Sequence, residues 1–553
     1  MGVLSVKTRK VSNTPYRLMY TWDNEMDRAS IEQIEGGIMS ATFVSYPLQT
    51  SIYEAIVEYL PNARIEESAR NWYLKETSTF LKAKETKAGN KAEKRIELPL
   101  PYADKLYNFQ TVGARWLYDI KKGILADEPG LGKTITALAA ADLTEASKIL
   151  VITLPGIVQQ QWKAQAEKWL GCTAAVAEGT QAQKIAALAS NARVKIISFH
   201  ILADRKKKGK GDQNVYHQWL FNQQWDCIII DEAHNLQNKD SKRAQNAGRL
   251  KSPYLFLLTG TPLWNRVQSC WNLLHLLNPK AYSSYWAFVR KYCKITWTPF
   301  GEKVGDLKPS MLEAIQYELN PYMLRRTTED VFTDLPEVVF NPVEYSLLPD
   351  MYTVLKQMKQ KHVTWGGRDK FYDSGAAVLM DMRKLCSLPS SIGYDFEPPK
   401  TEIIKDIIRE HLSTGRQVLI FTWFRSYCEY LTTQLKIAFG ERIEFIHGQT
   451  KPEDRTKLIA DTKEGKIRIL VATLPTLGVG VDLPMIDVCL FAEADWTPAM
   501  IEQGWRRVFR IGSKSTRFVY FPFARNTIEA RIHAVFTKKQ EVAEDVLLME
   551  SVE

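Results

Sequence analysis

Paired cysteines are missing from this sequence. The seven cysteines stand at Cys172, Cys227, Cys270, Cys293, Cys386, Cys428 and Cys489. No two of them form a C-x-x-C pair, and an odd, dispersed set fits neither a disulfide framework nor a zinc site. We therefore expect a reducing compartment.

Long apolar runs are also missing. No stretch approaches the ~18 apolar residues that a membrane span needs, and the N-terminal sequence MGVLSVKTRK lacks the apolar core of a signal peptide. The sequence therefore predicts an intracellular protein with no membrane partner, either cytoplasmic or nucleoid-associated, and leaves a nuclear location open. Its compact length of 553 residues favours a bacterial or viral source. We expect a monomer.

Positive charge is abundant, with a formal net charge of +10. Such a balance favours a polyanionic partner. The most basic run, RKKKGKG at 205–211, has three open interpretations: a solvated loop, a contact with DNA phosphates, or a nuclear-import patch.

The segment 123–136, GILADEPGLGKTIT, joins a short apolar run to an Ala-rich helix. Gly130 and Gly132 let backbone N–H groups approach an anion, Lys133 can reach terminal phosphates, and Thr134 can bind Mg²⁺. Asp127 stands where the pattern G-x-x-x-x-G-K-[ST] has its first Gly. This segment alone therefore leaves open a Gly-rich helix N-terminus that binds nothing.

A second candidate site follows in the segment 225–234, WDCIIIDEAH. Its four apolar residues predict a buried parallel strand, and two adjacent carboxylates, Asp231 and Glu232, end that strand. Parallel sheets bind ligands at such strand ends. Asp231 would hold the Mg²⁺ that Thr134 also binds, and Glu232 would polarise the water that attacks the γ-phosphate of ATP. A solvated Asp-Glu turn is the alternative.

These motifs occur in a fixed order with several others. They are followed by LFLLTGTPLWN at 255–265, MLRRTTEDVFTDLPE at 323–337, VLIFTWF at 418–424, IHGQTKPEDR at 446–455 and FAEADWTPAMIEQGWRRVFRIGSK at 491–514. Together they resemble the Swi/Snf family of superfamily-two helicase-like ATPases, over about residues 100 to 535. The FAE and WTP motifs look most like the annealing-helicase, HARP-like branch of that family.

The resemblance implies an α/β fold with two tandem RecA-like parallel-sheet lobes. The expected divisions are a small α+β module at 1–95, lobe one at 96–335 with a helical insertion at about 266–322, a second insertion and linker at 336–399, lobe two at 400–536, and a C-terminal helix at 537–553. The module would recognise branched DNA, or alternatively serve packing or dimerisation. Its last residues, 82–94, read as a solvated linker.

ATP and Mg²⁺ are the implied cofactors. Gln110 would bind the adenine edge, and Asp127 would belong to the nucleotide site. On a helix, Gln503, Arg507 and Arg510 share one face and would point into the cleft between the lobes, with both arginines on the γ-phosphate. Arg506 would point about 100° away from them. The family usually has an acidic residue, His and Gln at positions 506, 509 and 513 of this chain.

Double-stranded or branched DNA is the implied partner. The candidate contacts, carried over from the family's motifs, are Pro155, Gln161, Ser198, Thr259, Gly448, Arg455, Thr473, Gly478 and Trp496. We expect an ATP-dependent duplex translocase that acts on branched DNA in replication, repair or recombination. A remodeller that displaces proteins from DNA is the first alternative, and a non-hydrolysing DNA-binding scaffold is the second.

Overall fold

The computed structural model describes most of the chain beyond residue 95 and short pieces before it. The described residues are 3–7, 17–21, 38–39, 43–47, 56–57, 60, 63–70, 82–83, 86, 95–155, 157–203, 219–260, 267–299, 301–332, 337–477, 483–493, 495, 498–506 and 515–534. No helix among them is both long enough and apolar enough to cross a bilayer.

The N-terminal residues contribute a small mixed sheet. Its strands are β1 (Val3–Lys7), β2 (Arg17–Thr21), β3 (Ile38–Met39), β4 (Phe43–Pro47) and β5 (Arg64–Ile65), in the order β3-β4-β2-β1-β5. Only β1 and β5 pair in parallel, while the other pairs are antiparallel.

Lobe one is built on a seven-stranded sheet with the order β14-β6-β11-β10-β7-β9-β8. Its strands are β6 (Lys122–Leu125), β7 (Ile149–Thr153), β8 (Ala174–Val176), β9 (Val194–Ser198), β10 (Cys227–Ile230), β11 (Tyr254–Leu258) and β14 (Met323–Leu324), whereas β12 (Cys293–Thr298) and β13 (Gly301–Leu307) form a separate hairpin. All pairings in the large sheet are parallel.

Helices cover both faces of this sheet, as the fully buried residues of β7, β9 and β10 require. The helices of lobe one are Asn108–Ile120, Lys133–Leu143, Ile157–Leu170, Gln181–Ala189, Phe199–Ala203, Lys242–Ala247, Cys270–Leu277, Tyr285–Tyr292, Leu312–Leu319 and Thr328–Val331. The insertion expected at about 266–322 is therefore helical, but it also carries the β12–β13 hairpin. Two apolar cores result, one on each side of the sheet.

Lobe two is a six-stranded parallel sheet with the order β15-β22-β21-β18-β20-β19. Its strands are β15 (Val338–Tyr345), β18 (Val418–Thr422), β19 (Ile443–Ile446), β20 (Ile469–Thr473), β21 (Val488–Phe491) and β22 (Arg517–Ala524), whereas β16 (His362–Trp365) and β17 (Arg368–Phe371) form a second hairpin. The helices are Pro349–Lys359, Gly375–Ser387, Pro399–Ser413, Arg425–Phe439, Pro452–Lys463, Leu474–Leu477 and Pro498–Trp505.

Two boundaries differ from the sequence-based expectation. The stretch 336–399 is more than an insertion and linker, because β15 pairs along its whole length with β22 at the edge of the second sheet. The stretch 82–94 is not a solvated linker throughout, because Ala83 is buried in a lobe-one core and Thr86 Oγ1 donates a 2.9 Å hydrogen bond to Asp119. The helix expected at 537–553 lies outside the described residues.

Candidate nucleotide site between the lobes

The predicted phosphate loop follows β6 and ends where the helix Lys133–Leu143 begins. Gly130 and Gly132 have φ values of 101° and 77°, a region that side chains with a Cβ rarely enter. A Cβ on Gly132 would also lie 2.5 Å from Gln110 Nε2. The loop therefore needs glycine at Gly132, and it places the N-terminus of a helix where an anion can bind.

Lys133 and Gln110 both hold the backbone of this loop. Lys133 Nζ donates to the carbonyl oxygens of Asp127 at 2.7 Å and Glu128 at 3.2 Å. Gln110 is buried; its Nε2 donates to the Leu131 carbonyl at 3.1 Å and its Oε1 accepts from the Tyr107 N–H at 3.1 Å. Gln110 thus ties its own helix to the loop, and adenine recognition by Gln110 stays a prediction.

Asp127 requires a correction. Its carboxylate is fully buried and forms an ion pair with Arg326, with Nε to Oδ1 at 2.9 Å and the second nitrogen to Oδ2 at 2.5 Å. Arg326 also donates to the Phe109 carbonyl. The carboxylate of Asp127 is therefore committed to Arg326, and it shapes the loop rather than facing a nucleotide.

Asp231 follows β10. In the sheet, β10 lies beside β11, and β11 separates it from β6. Its Oδ2 accepts hydrogen bonds from Trp162 Nε1 at 2.8 Å and Thr153 Oγ1 at 3.1 Å, and its Oδ1 accepts from the Glu232 N–H at 3.0 Å. Burial, followed by the neighbouring charge of Glu232, raises the pKa of Asp231 above its usual value. The charged form of Asp231 would therefore be stabilised by a cation.

Glu232 has a left-handed backbone conformation with φ of 48°, which is uncommon for residues other than glycine. Glu232 Oε2 lies 3.4 Å from His234 Nδ1, and the same nitrogen lies 3.2 Å from Thr259 Oγ1. Burial lowers the pKa of His234 to about 3, so the imidazole is neutral at neutral pH.

Thr259 therefore also requires a correction. Its side chain is fully buried and its hydroxyl contacts His234. The predicted DNA contact cannot be made by this side chain, because it lies inside lobe one at the end of β11. The hydroxyl instead supports the imidazole that lies beside Glu232.

The two lobes line a common cavity of about 400 Å³. Lobe one contributes Glu232 and His234, and lobe two contributes Met500 and Gln503 from the helix Pro498–Trp505. The lining is completed by Leu154, Asn235, Gln237, Asn238, Arg243 and Ser269. The structure therefore brings Gln503 to the same cavity as Glu232, although the two residues are 271 positions apart in the sequence.

The residues at this site fit Mg²⁺ bound together with phosphates. Thr134 lies in the first turn of its helix and offers a hydroxyl oxygen, and Asp231 offers a buried carboxylate whose side-chain donors, Trp162 and Thr153, are neutral. Mg²⁺ prefers such oxygen ligands, with one or two carboxylates and substrate phosphates. Over the described part of the chain, no cluster of three or more His, Cys, Asp or Glu side chains could hold a metal alone.

The remaining DNA candidates differ in exposure. Pro155, Gln161 and Gly448 are exposed, and Arg455 is partly buried. Ser198 and Thr473 have buried side chains, and the hydroxyl of Thr473 donates to Thr476 Oγ1 at 2.8 Å. A DNA strand would therefore have to contact Ser198 and Thr473 through their backbone groups.

Arg507, Arg510, Gly478 and Trp496 lie outside the described residues, so their roles stay predictions. Arg506 is described, but its expected direction relative to Arg507 and Arg510 stays a prediction because those two residues are not. Its guanidinium crosses from lobe two to lobe one and pairs with Glu128 of the phosphate loop. The helix ends at Trp505, and the Arg506 N–H still donates to the Glu502 carbonyl at 3.0 Å.

Several residues of this site were missed by reasoning from the sequence. Trp162 is buried like an ordinary core residue, but its indole N–H also donates to Asp231. Arg326 could have been suspected, because an acidic residue that replaces glycine beside a buried strand needs a counter-charge. No sequence signal connects Arg506 with Glu128.

Two family models match this chain in succession. The model described as the SNF2-related domain matches residues 70–390, and the model described as the helicase conserved C-terminal domain matches residues 399–512. The junction between the two matches falls at the start of the helix Pro399–Ser413 in lobe two.

Curated relatives align along most of the chain. An uncharacterized ATP-dependent helicase of Mycoplasma pneumoniae is 26% identical over 458 residues, which cover 80% of this chain and 42% of the relative. ATP-dependent helicase brm of Drosophila melanogaster is 27% identical over 490 residues, which cover 80% of this chain and 29% of the relative. The chain thus spans less than half the length of these relatives.

Among solved structures, the SWI2/SNF2 ATPase core of Sulfolobus solfataricus in complex with dsDNA is similar to this chain. The identity is 22%, the TM-score is 0.39, and the alignment covers 80% of this chain and 92% of that chain.

Proposed function

Because the chain belongs to the SNF2-related family of helicase-like ATPases, we propose that it hydrolyses ATP and uses the energy to move along duplex DNA. The observation that carries this proposal is the shared cavity, where Glu232 and His234 of lobe one meet Gln503 of lobe two. A site divided between two lobes couples hydrolysis to their relative movement. Such movement is what a translocase needs.

Lobe one supplies the binding groups. The N–H groups of the loop and of the first helical turn would bind the β- and γ-phosphates, and Lys133, now bonded to carbonyls of Asp127 and Glu128, would turn to them. Mg²⁺, held by Thr134 and Asp231, would neutralise charge on the transferred phosphoryl group. Glu232 would orient the attacking water. His234 stays neutral and holds Glu232 in place.

The net charge of +10 supports DNA as the partner. One relative, of Homo sapiens, carries the name chromodomain-helicase-DNA-binding protein 7. Contacts from strand-end turns and short side chains would grip phosphates and carry little sequence information. We therefore expect binding that weakens steeply with salt and depends little on base sequence.

Branched DNA is the substrate we propose within this class. What supports it is the additional five-stranded sheet ahead of lobe one, whose position and size match a substrate-recognition module. A module of this kind would act together with a motor that tracks duplex DNA. Displacement of DNA-bound proteins is the competing role.

The proposal is tested by the ATPase rate of the intact protein with no nucleic acid, single-stranded DNA, duplex, forked and four-way DNA, and an RNA duplex. We expect stimulation by duplex DNA, greater stimulation by forked and four-way DNA at equal length, and none by RNA. A rate at background under all conditions would show a non-hydrolysing scaffold. Equal stimulation by plain and branched duplexes would remove the branched-DNA role.

A further inference from the structure

We propose that Arg506 is a positioning residue that fastens lobe two to the phosphate loop of lobe one through Glu128. The role rests on the proposed ATPase function, because it concerns the same cleft. It differs from that of Arg507 and Arg510, because Arg506 acts on the protein rather than on the nucleotide. An acidic residue at position 506 could not make this contact, because it would repel Glu128.

The contact between Arg506 and Glu128 is bidentate. One terminal guanidinium nitrogen of Arg506 donates to Glu128 Oε2 at 2.6 Å, and the other donates to Oε1 at 2.6 Å. Two parallel, charge-assisted hydrogen bonds fix an orientation as well as a distance. A lysine at position 506 could match the charge but could not form the two parallel hydrogen bonds of a planar guanidinium.

This ion pair is shielded from water, unlike an ordinary surface pair. The side chains of Arg506 and Glu128 are only 15% and 8% exposed. Arg506 Nε donates to Glu502 Oε1 at 2.8 Å, and the guanidinium lies 4.5 Å from the centre of the Trp505 ring. The guanidinium is thus oriented by its own helix before it reaches across the cleft.

Glu128 is held equally firmly on the side of lobe one. Its Oε2 accepts hydrogen bonds from the Thr328 N–H and Thr328 Oγ1, both at 2.8 Å, and its own N–H donates to the Arg326 carbonyl at 3.0 Å. Residues 326–328 belong to the segment that leaves lobe one. Glu128 is therefore a junction between the phosphate loop, this segment and lobe two.

Arg506 lies close in the chain to the residues of lobe two that we expect to take part in hydrolysis. Arg506 lies almost one helical turn beyond Gln503, which lines the cleft with Glu232, and immediately before Arg507. The contact therefore sets the angle at which lobe two presents these groups. Loss of the contact would shift the lobes towards open arrangements but leave the binding groups of lobe one in place.

The test measures lobe closure and turnover on the same protein. Fluorophores are placed at Ala182→Cys on lobe one and Ala438→Cys on lobe two, both exposed positions, in a Cys172→Ser background because the other six cysteines are buried. Energy transfer between the labels reports the closed fraction. A double-mutant cycle is formed by Arg506→Ala, Glu128→Ala and the double variant. Arg506→Lys tests whether the two parallel hydrogen bonds of the guanidinium are required, because it keeps only the charge.

The matched control is Arg442→Ala, which removes an arginine that pairs with Asp461 and Glu444 inside lobe two. We expect Arg506→Ala to lower the closed-to-open ratio about tenfold, within the range of typical coupling energies, and to lower kcat with little change in KM for ATP. Arg506→Lys should give a closed-to-open ratio and a kcat between those of the unsubstituted protein and Arg506→Ala. The double variant should be no more open than the worse single variant.

Two outcomes would overturn the proposal. Arg506→Ala could match Arg442→Ala in both closure and kcat, or the effects of Arg506→Ala and Glu128→Ala could simply add. Failure of the proposed function is a distinct result, because then the unsubstituted protein shows no turnover while energy transfer still reports whether Arg506 closes the lobes.

Discussion

The two lobes contribute to the cleft in different ways. Lobe one collects its groups from neighbouring strands of one sheet, since the segments after β6, β11 and β10 meet at the same edge. Those groups are bonded to one another, as the Asp127–Arg326 and Asp231–Trp162 contacts show. In the described part of lobe two, the helix Pro498–Trp505 and the residue after it reach the same cleft.

This difference separates binding from hydrolysis. Several groups of lobe one are already oriented by buried partners, so we expect them to hold a nucleotide whatever the position of lobe two. We expect the groups of lobe two to act in the cleft only when the lobes are held together, and in this structure Arg506 contacts Glu128 across the cleft. We therefore expect substitutions in lobe two to affect turnover more than binding.

The largest effect is expected at Arg507 and Arg510. Replacement of either by Ala should lower single-turnover hydrolysis by about 10³ to 10⁵, the range for arginines that stabilise a transferred phosphoryl group. Arg409→Ala, which removes an exposed arginine paired with Asp406 on another helix of lobe two, is the control. Losses that simply follow weaker DNA binding would show instead that this segment is a basic DNA contact.

Glu232→Gln should have the next largest effect. The amide cannot polarise water as a carboxylate does, so hydrolysis should fall by about 10² to 10⁴ while ATP binding persists. The measurement is DNA-stimulated phosphate release beside ATP affinity, with Glu167→Gln on an exposed helical position of lobe one as the control. Near-normal turnover would exclude Glu232 as the residue that activates water.

Arg326→Met tests whether the stability of the protein depends on the buried ion pair between Asp127 and Arg326. It leaves the buried Asp127 carboxylate without its partner, which should lower the free energy of unfolding by about 3 to 5 kcal/mol. Urea unfolding of the intact protein measures this loss, and Asp127→Asn in the same chain should recover part of it. A loss below about 1 kcal/mol, as for an exposed pair, would show that the loop does not depend on this ion pair.

Trp162→Phe should have the smallest effect. It removes the indole N–H from Asp231 Oδ2 but keeps most of the buried ring, and loss of a residue that orients a metal ligand typically costs about 10- to 100-fold in metal affinity. We expect a shift near the lower end, about tenfold, in the Mg²⁺ concentration for half-maximal turnover. Trp169→Phe is the matched control, because that indole donates to Gln165 at 2.8 Å on the same helix. Equal shifts would contradict the role of Trp162.

The strands and their ends could be predicted because their signals are local. The apolar run of β10 followed by Asp231 and Glu232, and the glycines before Lys133, each occupy a single short segment. The β15–β22 pairing could not be predicted, because it joins residues far apart in the sequence through backbone hydrogen bonds that many sequences can make.

Contacts between the lobes could not be predicted from the sequence either. Glu128 and Arg506 are each typical of a solvated surface when considered alone, and their hydrogen bonds depend on how two sheets sit across a cleft. Trp162 presented a related problem, since a buried aromatic residue on a helix predicts a core position and nothing about its N–H group.

We expect lobe one to bind ATP and lobe two to be needed for its hydrolysis. The most direct measurement compares Lys133→Ala with Arg507→Ala in two assays, the affinity for a fluorescent ATP analogue and single-turnover hydrolysis of ATP. We predict that Lys133→Ala loses both, whereas Arg507→Ala keeps near-normal affinity and loses hydrolysis. If Arg507→Ala lost affinity as severely as Lys133→Ala, binding would depend on both lobes and the claim would be contradicted.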